Sequence, residues 1–509
     1  MKPFPEQNLK KRKVFIARLT GVLIVCFWLV MMGLLIMKHT FTGSLQKAAE
    51  TNKKNDKAVV LDGPAHEWME IFLHDRKIGY SRSTIVPLEE GYVVQEALFL
   101  RLNLLGRPSL IHSETHALVD RAFRLKHFNF SLQSGVTSFA LRGDVRDGWL
   151  AVRREGSPEK KIPIQGPLYI GSSLNYFFKK EPLAVGKSFS IQFFDPSTMA
   201  RKQMVIRVVG RETIRIHRIP YRTYRLETRL MGQLMSFWID ENGDLLKESG
   251  LLGMSLVRSN PTQAQKNISG SGGEDFYELA SIKSDRRLPR PREMRYLKVR
   301  LLGIDGTSFF TGVLNDQRQE YKEGILSVRR ETISSRTEPS FFSGIRTGEM
   351  EPYLKGEINI EVDDPAIRKT ARKIEGMEHD PLRLARRILA WVYVNVDKRP
   401  VMSVPSAREV LKTLAGDCNE HAVLLTALLR ASGIPARLCA GLVYARGRFY
   451  YHAWTEGWVG RWISMDATLN QMPVDATHIA LARGGLEQQT AIIALMGKLN
   501  IKVLDYRHD

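Results

Sequence analysis

Three side chains in the C-terminal third have the types and order that acyl transfer needs: Cys418, His452 and Asp466. A thiolate attacks a carbonyl, an imidazole takes and returns the proton, and a carboxylate orients the imidazole. Cys418 stands near the start of GDCNEHAVLLTALLRASGIPAR (416–437). Its apolar spacing predicts a buried helix that ends at Ser432-Gly433, with Pro435 blocking continuation. The cysteine then occupies the first turn, where unpaired N–H groups and the positive dipole end meet. That placement predicts a lowered thiol pKa and offers donors to an oxyanion. A lone cysteine is more often a small buried hydrophobe, so the reading depends on its partners.

The partners lie downstream. RLCAGLVY (437–444) alternates, Ala445-Arg446-Gly447-Arg448 turns the chain, and FYYHAWTEGWV (449–459) reads as the next strand. Period two sets His452, Trp454, Glu456 and Trp458 on one face. WISMDAT (462–468) returns alongside and carries Asp466. A helix-borne cysteine facing a hairpin with His and Asp is a nucleophile, base and orienter in outline. A two-residue turn at 460–461 pairs 455 with 466, however, and not 452 with 466. A His–Asp contact therefore demands another turn, a bulge or a strand end.

Other reactive types have plainer readings. His421 is on the same helix as Cys418 and is expected to cap or pack. Asp417 reads as a helix cap, Cys439 as core, and Glu456 as a surface ion pair on the His452 face. His478, in Asp475-Ala476-Thr477-His478, reads as structural. No Cys/His spacing suggests zinc and no loop suggests calcium, so no metal or cofactor is expected. Three cysteines, Cys26, Cys418 and Cys439, exclude a disulfide framework. A Cys418–Cys439 bridge would consume the nucleophile.

Four boxes in order, G-D-C, R-A-x-G-I-P-A-R, H-A-W and D-A-T, make residues 351–480 resemble the bacterial transglutaminase-like superfamily, related in architecture to papain-type enzymes. The resemblance implies Cys418, His452 and Asp466 as a catalytic triad, and gives His478 a place in a downstream family box. Where members commonly have D-P-T, this chain has Asp466-Ala467-Thr468, which leaves the carboxylate in place.

The elements that must position these residues follow from the rest of the chain. Asp364-Pro365 and Asp380-Pro381 each set a cap before a proline, the signature of a helix start. A short helix is expected near 406–414. From residue 66 to 258 the period is two: EWMEIFL, IGYSRSTIV, YVVQEALFL and their successors predict about ten strands in one antiparallel, twisted domain or open barrel. FWID and LLKE, joined through Asn242-Gly243, predict a hairpin. This stretch resembles a β-rich domain of unknown role in Gram-negative envelope proteins, on Trp68 to Gly79-Tyr80 and the D-x-x-G hairpin. NPTQAQKNISGSGGED (260–275) and the basic RRLPRPR (286–292) read as linker.

At the other end, LTGVLIVCFWLVMMGLLIM (19–37) carries no charge and is long enough to cross a hydrocarbon core of about 30 Å. Lys10 to Arg18 precede it, which orients the tail toward the cytoplasm and the bulk of the chain to the periplasmic side of the inner membrane. A cleaved signal peptide is the rival, but no small-x-small site follows cleanly. The 509 residues carry a net charge of +21 without any nucleic-acid motif, so the charge reads as a membrane or polyanion preference, not a nucleic-acid one.

The expected organisation is a basic tail (1–18), transmembrane helix (19–37), linker (38–62), β-rich domain (63–258), linker (259–292), small β element (293–350), catalytic domain (351–480) and C-terminal segment (481–509). The expected fold class is α+β: a transmembrane helix, an antiparallel β domain, then a transglutaminase-like α+β domain. The expected function is a membrane-anchored envelope cysteine enzyme. It would cleave or transfer amide acyl groups of peptide, protein or cell wall through a thioester. The alternative is a scaffold that keeps the fold and binds such material without chemistry.

Overall fold

Alternating residues become strand after strand in the computed structural model, which describes residues 63–179, 182–230, 233–270, 272, 274–303, 313–333, 348–401, 404–485, 492 and 495–509. Residues 65–259 supply a sheet of fifteen strands among the described residues. The first eight strands run as a meander away from Ala65–Leu73, and the other seven run back to Met254–Ser259. These two strands pair antiparallel, Trp68 opposite Ser259, and join the halves. The halves curl toward each other, so that Phe128 from one meets Phe194 from the other at 5.4 Å between ring centres. One core holds both rings. The hairpin at 240–244 forms as expected, with Gly243 at φ 82 and the Asp240 carboxylate accepting from the Asn242 and Asp244 amides.

The expected fold class needs correction. Strand takes 49% and helix 18% of the described residues, which are therefore mostly β, because the β-rich half contributes far more elements than the helical segment. Among the described residues no helix is long and apolar enough to cross a membrane. The run 19–37, on which the transmembrane helix rested, lies outside the described residues, as do the tail and the linker that flank it.

The helical segment builds the platform for the cysteine. Asp364 caps Pro365–Glu375 through the Ala366 amide at 2.8 Å, and Asp380 caps Pro381–Asn395 through the Arg383 amide at 3.0 Å. Ala407–Thr413 is capped by Ser406. These three helices surround Cys418–Ala431, which is buried along nearly its whole length and presses on strands Ala436–Ala445 and Arg448–Trp458. The Thr455 hydroxyl donates to the Ala422 carbonyl across this seam at 3.0 Å.

The expected linker 259–292 carries structure. Residues 276–280 form a short helix, and Ile282–Lys283 pairs with Phe449 and Arg448 on the edge of the histidine strand. The small β element is completed by the C-terminal strand Asn500–Arg507, which pairs with Tyr296–Leu302. The β-rich half touches the helical part through Arg154–Glu361 at 3.4 Å and the Ser157 hydroxyl on the Ile358 carbonyl at 2.7 Å.

Gly441 lets strand Ile479–Arg483 lie against strand Ala436–Ala445, because a Cβ there would stand 1.9 Å from the Ile479 carbonyl oxygen. Gly441→Ala is expected to cost about 1–3 kcal/mol, the usual penalty for overpacking. Urea unfolding checks it; a loss under about 0.5 kcal/mol would contradict the tight approach.

Candidate active site

Cys418 is the first residue of its helix. Asp417 is the cap: its carboxylate accepts the Asn419 amide at 2.8 Å, and Glu420 reaches back to the Asp417 amide at 2.9 Å. This reciprocal box fixes the helix start, and with it the cysteine. Gly416 is required beside it, since a Cβ would fall 2.2 Å from Glu420 Cβ. The expected thiol pKa does not follow. Burial, and then the Asp417 carboxylate, push the Cys418 thiol well above its usual range, against a backbone hydrogen bond from Ala453. The helix end alone predicts the opposite sign, and desolvation wins.

The register difficulty resolves through turn length. Thr455 pairs with Met465 and Trp458 with Trp462, so the connection spans residues 459–461. That one-residue difference moves Asp466 opposite Trp454, onto the face that carries His452. The strand ends at Met465, and the chain folds back so that Asp466 and Gln471 exchange backbone hydrogen bonds of 2.9 and 3.0 Å. His452 Nε2 then lies 2.8 Å from Asp466 Oδ2. Asp466 is fully buried, and its other oxygen accepts the Thr468 and Leu469 amides at 2.7 and 3.2 Å. Burial alone would raise its pKa. The charges and hydrogen bonds of His452 and His478 hold it far below the carboxylate range.

His478 has more to do than pack. Its Nε2 is 3.1 Å from the same Asp466 oxygen, and its Nδ1 is 3.5 Å from Asp475 Oδ1. Asp475 is in turn held by Arg292 at 2.7 Å. Burial disfavours the charged imidazole, but Asp475 and Asp466 outweigh it and raise the His478 pKa. A continuous chain thus runs Arg292, Asp475, His478, Asp466, His452. The ligating atoms of His452, Asp466 and His478 lie within 4.8 Å of one another, close enough to hold a cation. Their direct spacings of 2.8 and 3.1 Å are those of hydrogen bonds.

Cys418 and His452 line one cavity of about 410 Å³, together with Tyr277, Tyr451, Thr468 and Leu469. A second cavity of about 240 Å³ also reaches both residues from the side of Phe276 and Met496. His421 is buried, with Nδ1 2.6 Å from the Asp417 carbonyl, and serves the helix start. Cys439 is free and buried against Trp454 and Ala480. Glu456 is buried, not on the surface as expected, and is clamped by Arg437 and Arg483 at 2.7 and 2.9 Å. Two contributors were missed. Tyr277 donates its hydroxyl to Asp417, and Arg292, read as linker charge, ends the chain of charged contacts through Asp475. Neither has a local signal, since each meets its partner more than a hundred positions along the sequence.

The transglutaminase-like superfamily model matches residues 368–467, the span that holds the helix platform, Cys418, His452 and Asp466. The chain carries a transglutaminase-like domain. A second model, DUF3108, a protein family of unknown function, matches residues 133–248. No curated protein matches the chain. Among solved structures, a putative cysteine protease from Cytophaga hutchinsonii is 19% identical, with 42% of this chain and 86% of that one covered and a TM-score of 0.27. A β-barrel-like DUF1849 protein from Brucella abortus is 13% identical, with 40% and 98% covered and a TM-score of 0.31. The periplasmic domain of TgpA from Pseudomonas aeruginosa, bound to ethylmercury, is 18% identical, with 37% and 89% covered and a TM-score of 0.23.

The raised thiol pKa in the transglutaminase-like domain has a measurable consequence. Alkylation of Cys418 by iodoacetamide should still be climbing above pH 9. A labelling rate that reaches its plateau below pH 7 would contradict it, since that requires a thiolate already formed.

Proposed function

We propose that the transglutaminase-like domain is a cysteine enzyme that cleaves or transfers amide acyl groups, with Cys418 as nucleophile, His452 as base and Asp466 as orienter. The supporting observation is the 2.8 Å bond between His452 and Asp466 at the wall of the cavity that Cys418 also lines. Asp466 accepts the proton on Nε2, which leaves Nδ1 as the basic nitrogen for the thiol. With burial raising the thiol pKa, proton transfer accompanies attack.

In the first half-reaction, Sγ bonds to the amide carbon as its proton passes to His452. The oxyanion draws on the Cys418 N–H at the helix start, since the Asp417 cap already engages the amides that follow. The C–N bond then breaks, the imidazolium protonates the leaving amine, and a thioester remains on Cys418. Water attacking the thioester gives hydrolysis, and a second amine gives transfer. Both restore the thiol when His452 gives back the proton it takes from the attacking group. The cavity rim carries Lys398, Arg399 and Arg446, with Asp417 its one carboxylate among the described lining residues. An acyl chain bearing negative charge, from a peptide, protein or cell-wall amide, suits that rim.

Turnover of a panel of acidic fluorogenic peptide amides tests the assignment. Cys418→Ala should abolish release, His452→Ala should lower kcat by about 10²- to 10⁴-fold, and Asp466→Asn should be milder. Cys439→Ala serves as control and should leave turnover unchanged. Full activity in Cys418→Ala on a substrate that the parent chain turns over would refute the assignment.

A further inference from the structure

The β-rich half encloses a cavity of about 250 Å³ on the concave side of its sheet, away from the cysteine. Its wall is mainly apolar: Met69, Phe178, Phe193, Met204, Met235 and Phe237 contribute to it. Three carboxyl groups interrupt that wall, Glu67, Glu96 and Glu248. Register explains their direction. Glu96 pairs with Ser83, and both line the cavity. Glu248 pairs with Phe237 and with Leu256, which line it too. A bulge between Trp238 and Ile239 sets Leu245 and Glu248 on the same face, although their separation is odd.

Glu67 has a cation, Lys179 at 3.7 Å, which Asp244 shares at 2.6 Å. Glu96 and Glu248 have none: among the described residues no hydrogen bond or ion pair engages either. Both are partly accessible yet surrounded by protein, as groups facing an internal cavity are. Desolvation raises each to about 7, and the charge of Glu96 adds to the rise at Glu248. Two buried hydroxyls beside them, Ser83 and Tyr176, also complete no hydrogen bond by geometry. A protein gains nothing in stability from uncompensated carboxyl groups in an apolar wall. A bound cation compensates them.

We propose that this cavity binds an apolar molecule that carries an ammonium group, with the ammonium between Glu96 and Glu248 and its hydrocarbon against the phenylalanine and methionine wall. The Ser83 hydroxyl supplies a further acceptor. Charge selects the head group, because an anion would face carboxyls and a neutral alcohol would leave them uncompensated. Apolar area holds the tail.

Calorimetric titration of the full chain with octylamine at pH 7.5, beside 1-octanol and octanoate, tests this. Octylamine should saturate one site, with octanol at least roughly tenfold weaker and octanoate not bound, as the worth of charge-assisted bonds implies. Glu96→Gln and Glu248→Gln should each weaken octylamine by roughly tenfold or more. Cys418→Ala should not, which separates this cavity from the cysteine site. Equal affinity for amine and alcohol, no amine binding, or an unchanged affinity in the Glu96→Gln/Glu248→Gln double variant would overturn the proposal. Circular dichroism confirms that each variant folds. If a variant fails to fold, the amine-to-alcohol ratio in the parent chain decides.

Discussion

A carboxylate with no access to water governs the C-terminal half of this protein. Asp466 is fully buried, and an isolated charge there would be prohibitively costly. Four donors compensate it: two histidine nitrogens on one oxygen and two backbone amides on the other. Each donor imposes a requirement. The amides require the tight return at 466–471. The histidines require strand Arg448–Trp458 on one side and the segment after Asp475 on the other. The position of His452 is thus tied to satisfying one charge.

The compensation extends outward through the molecule. His478 is fixed by Asp475, and Asp475 by Arg292. Arg318, from the turn before strand Gln319–Lys322, donates to the backbone carbonyls of Asp475 and His478. The opposite wall is set independently. Tyr277 donates to Asp417, whose carboxylate caps the cysteine helix. Segments far from the four sequence boxes therefore hold both halves of the site, and the β-rich half is joined to the platform through Arg154 and Glu361. A site supported this way is preorganised, which is how fixed dipoles become useful to a reaction.

Much of this was legible in sequence because it is local. The capped helices at Asp364 and Asp380, the helix start at Cys418 and the alternating histidine strand all follow from short-range rules. The resemblance carried by four boxes then pointed to Cys418, His452 and Asp466, and the structure sets His452 against Asp466 beside the cavity that Cys418 lines. What escaped is tertiary. A two-residue turn at 460–461 is the shorter solution, and nothing local announced the longer connection that turns Asp466 toward His452. Dipole logic predicted a lowered thiol pKa, but burial and Asp417 act through the assembled fold. About ten strands were expected where fifteen form among the described residues, because pieces such as Tyr169–Ile170 are too short to show a period. Glu96 and Glu248 became anomalous only once register turned them inward. Arg292 looked like a solvated linker charge because its partner is far along the chain.

The proposed chemistry requires that Cys418 attack an acyl carbon with His452 as its base. Exposing the full chain at pH 7 to a peptidyl vinyl sulfone, which mimics an amide electrophile, and mapping the product by mass spectrometry measures this directly. A single adduct on Cys418, absent from Cys439 and slowed by about a hundredfold or more in His452→Ala, is the predicted result. An adduct on Cys439 first, or a Cys418 labelling rate indifferent to loss of His452, would contradict it.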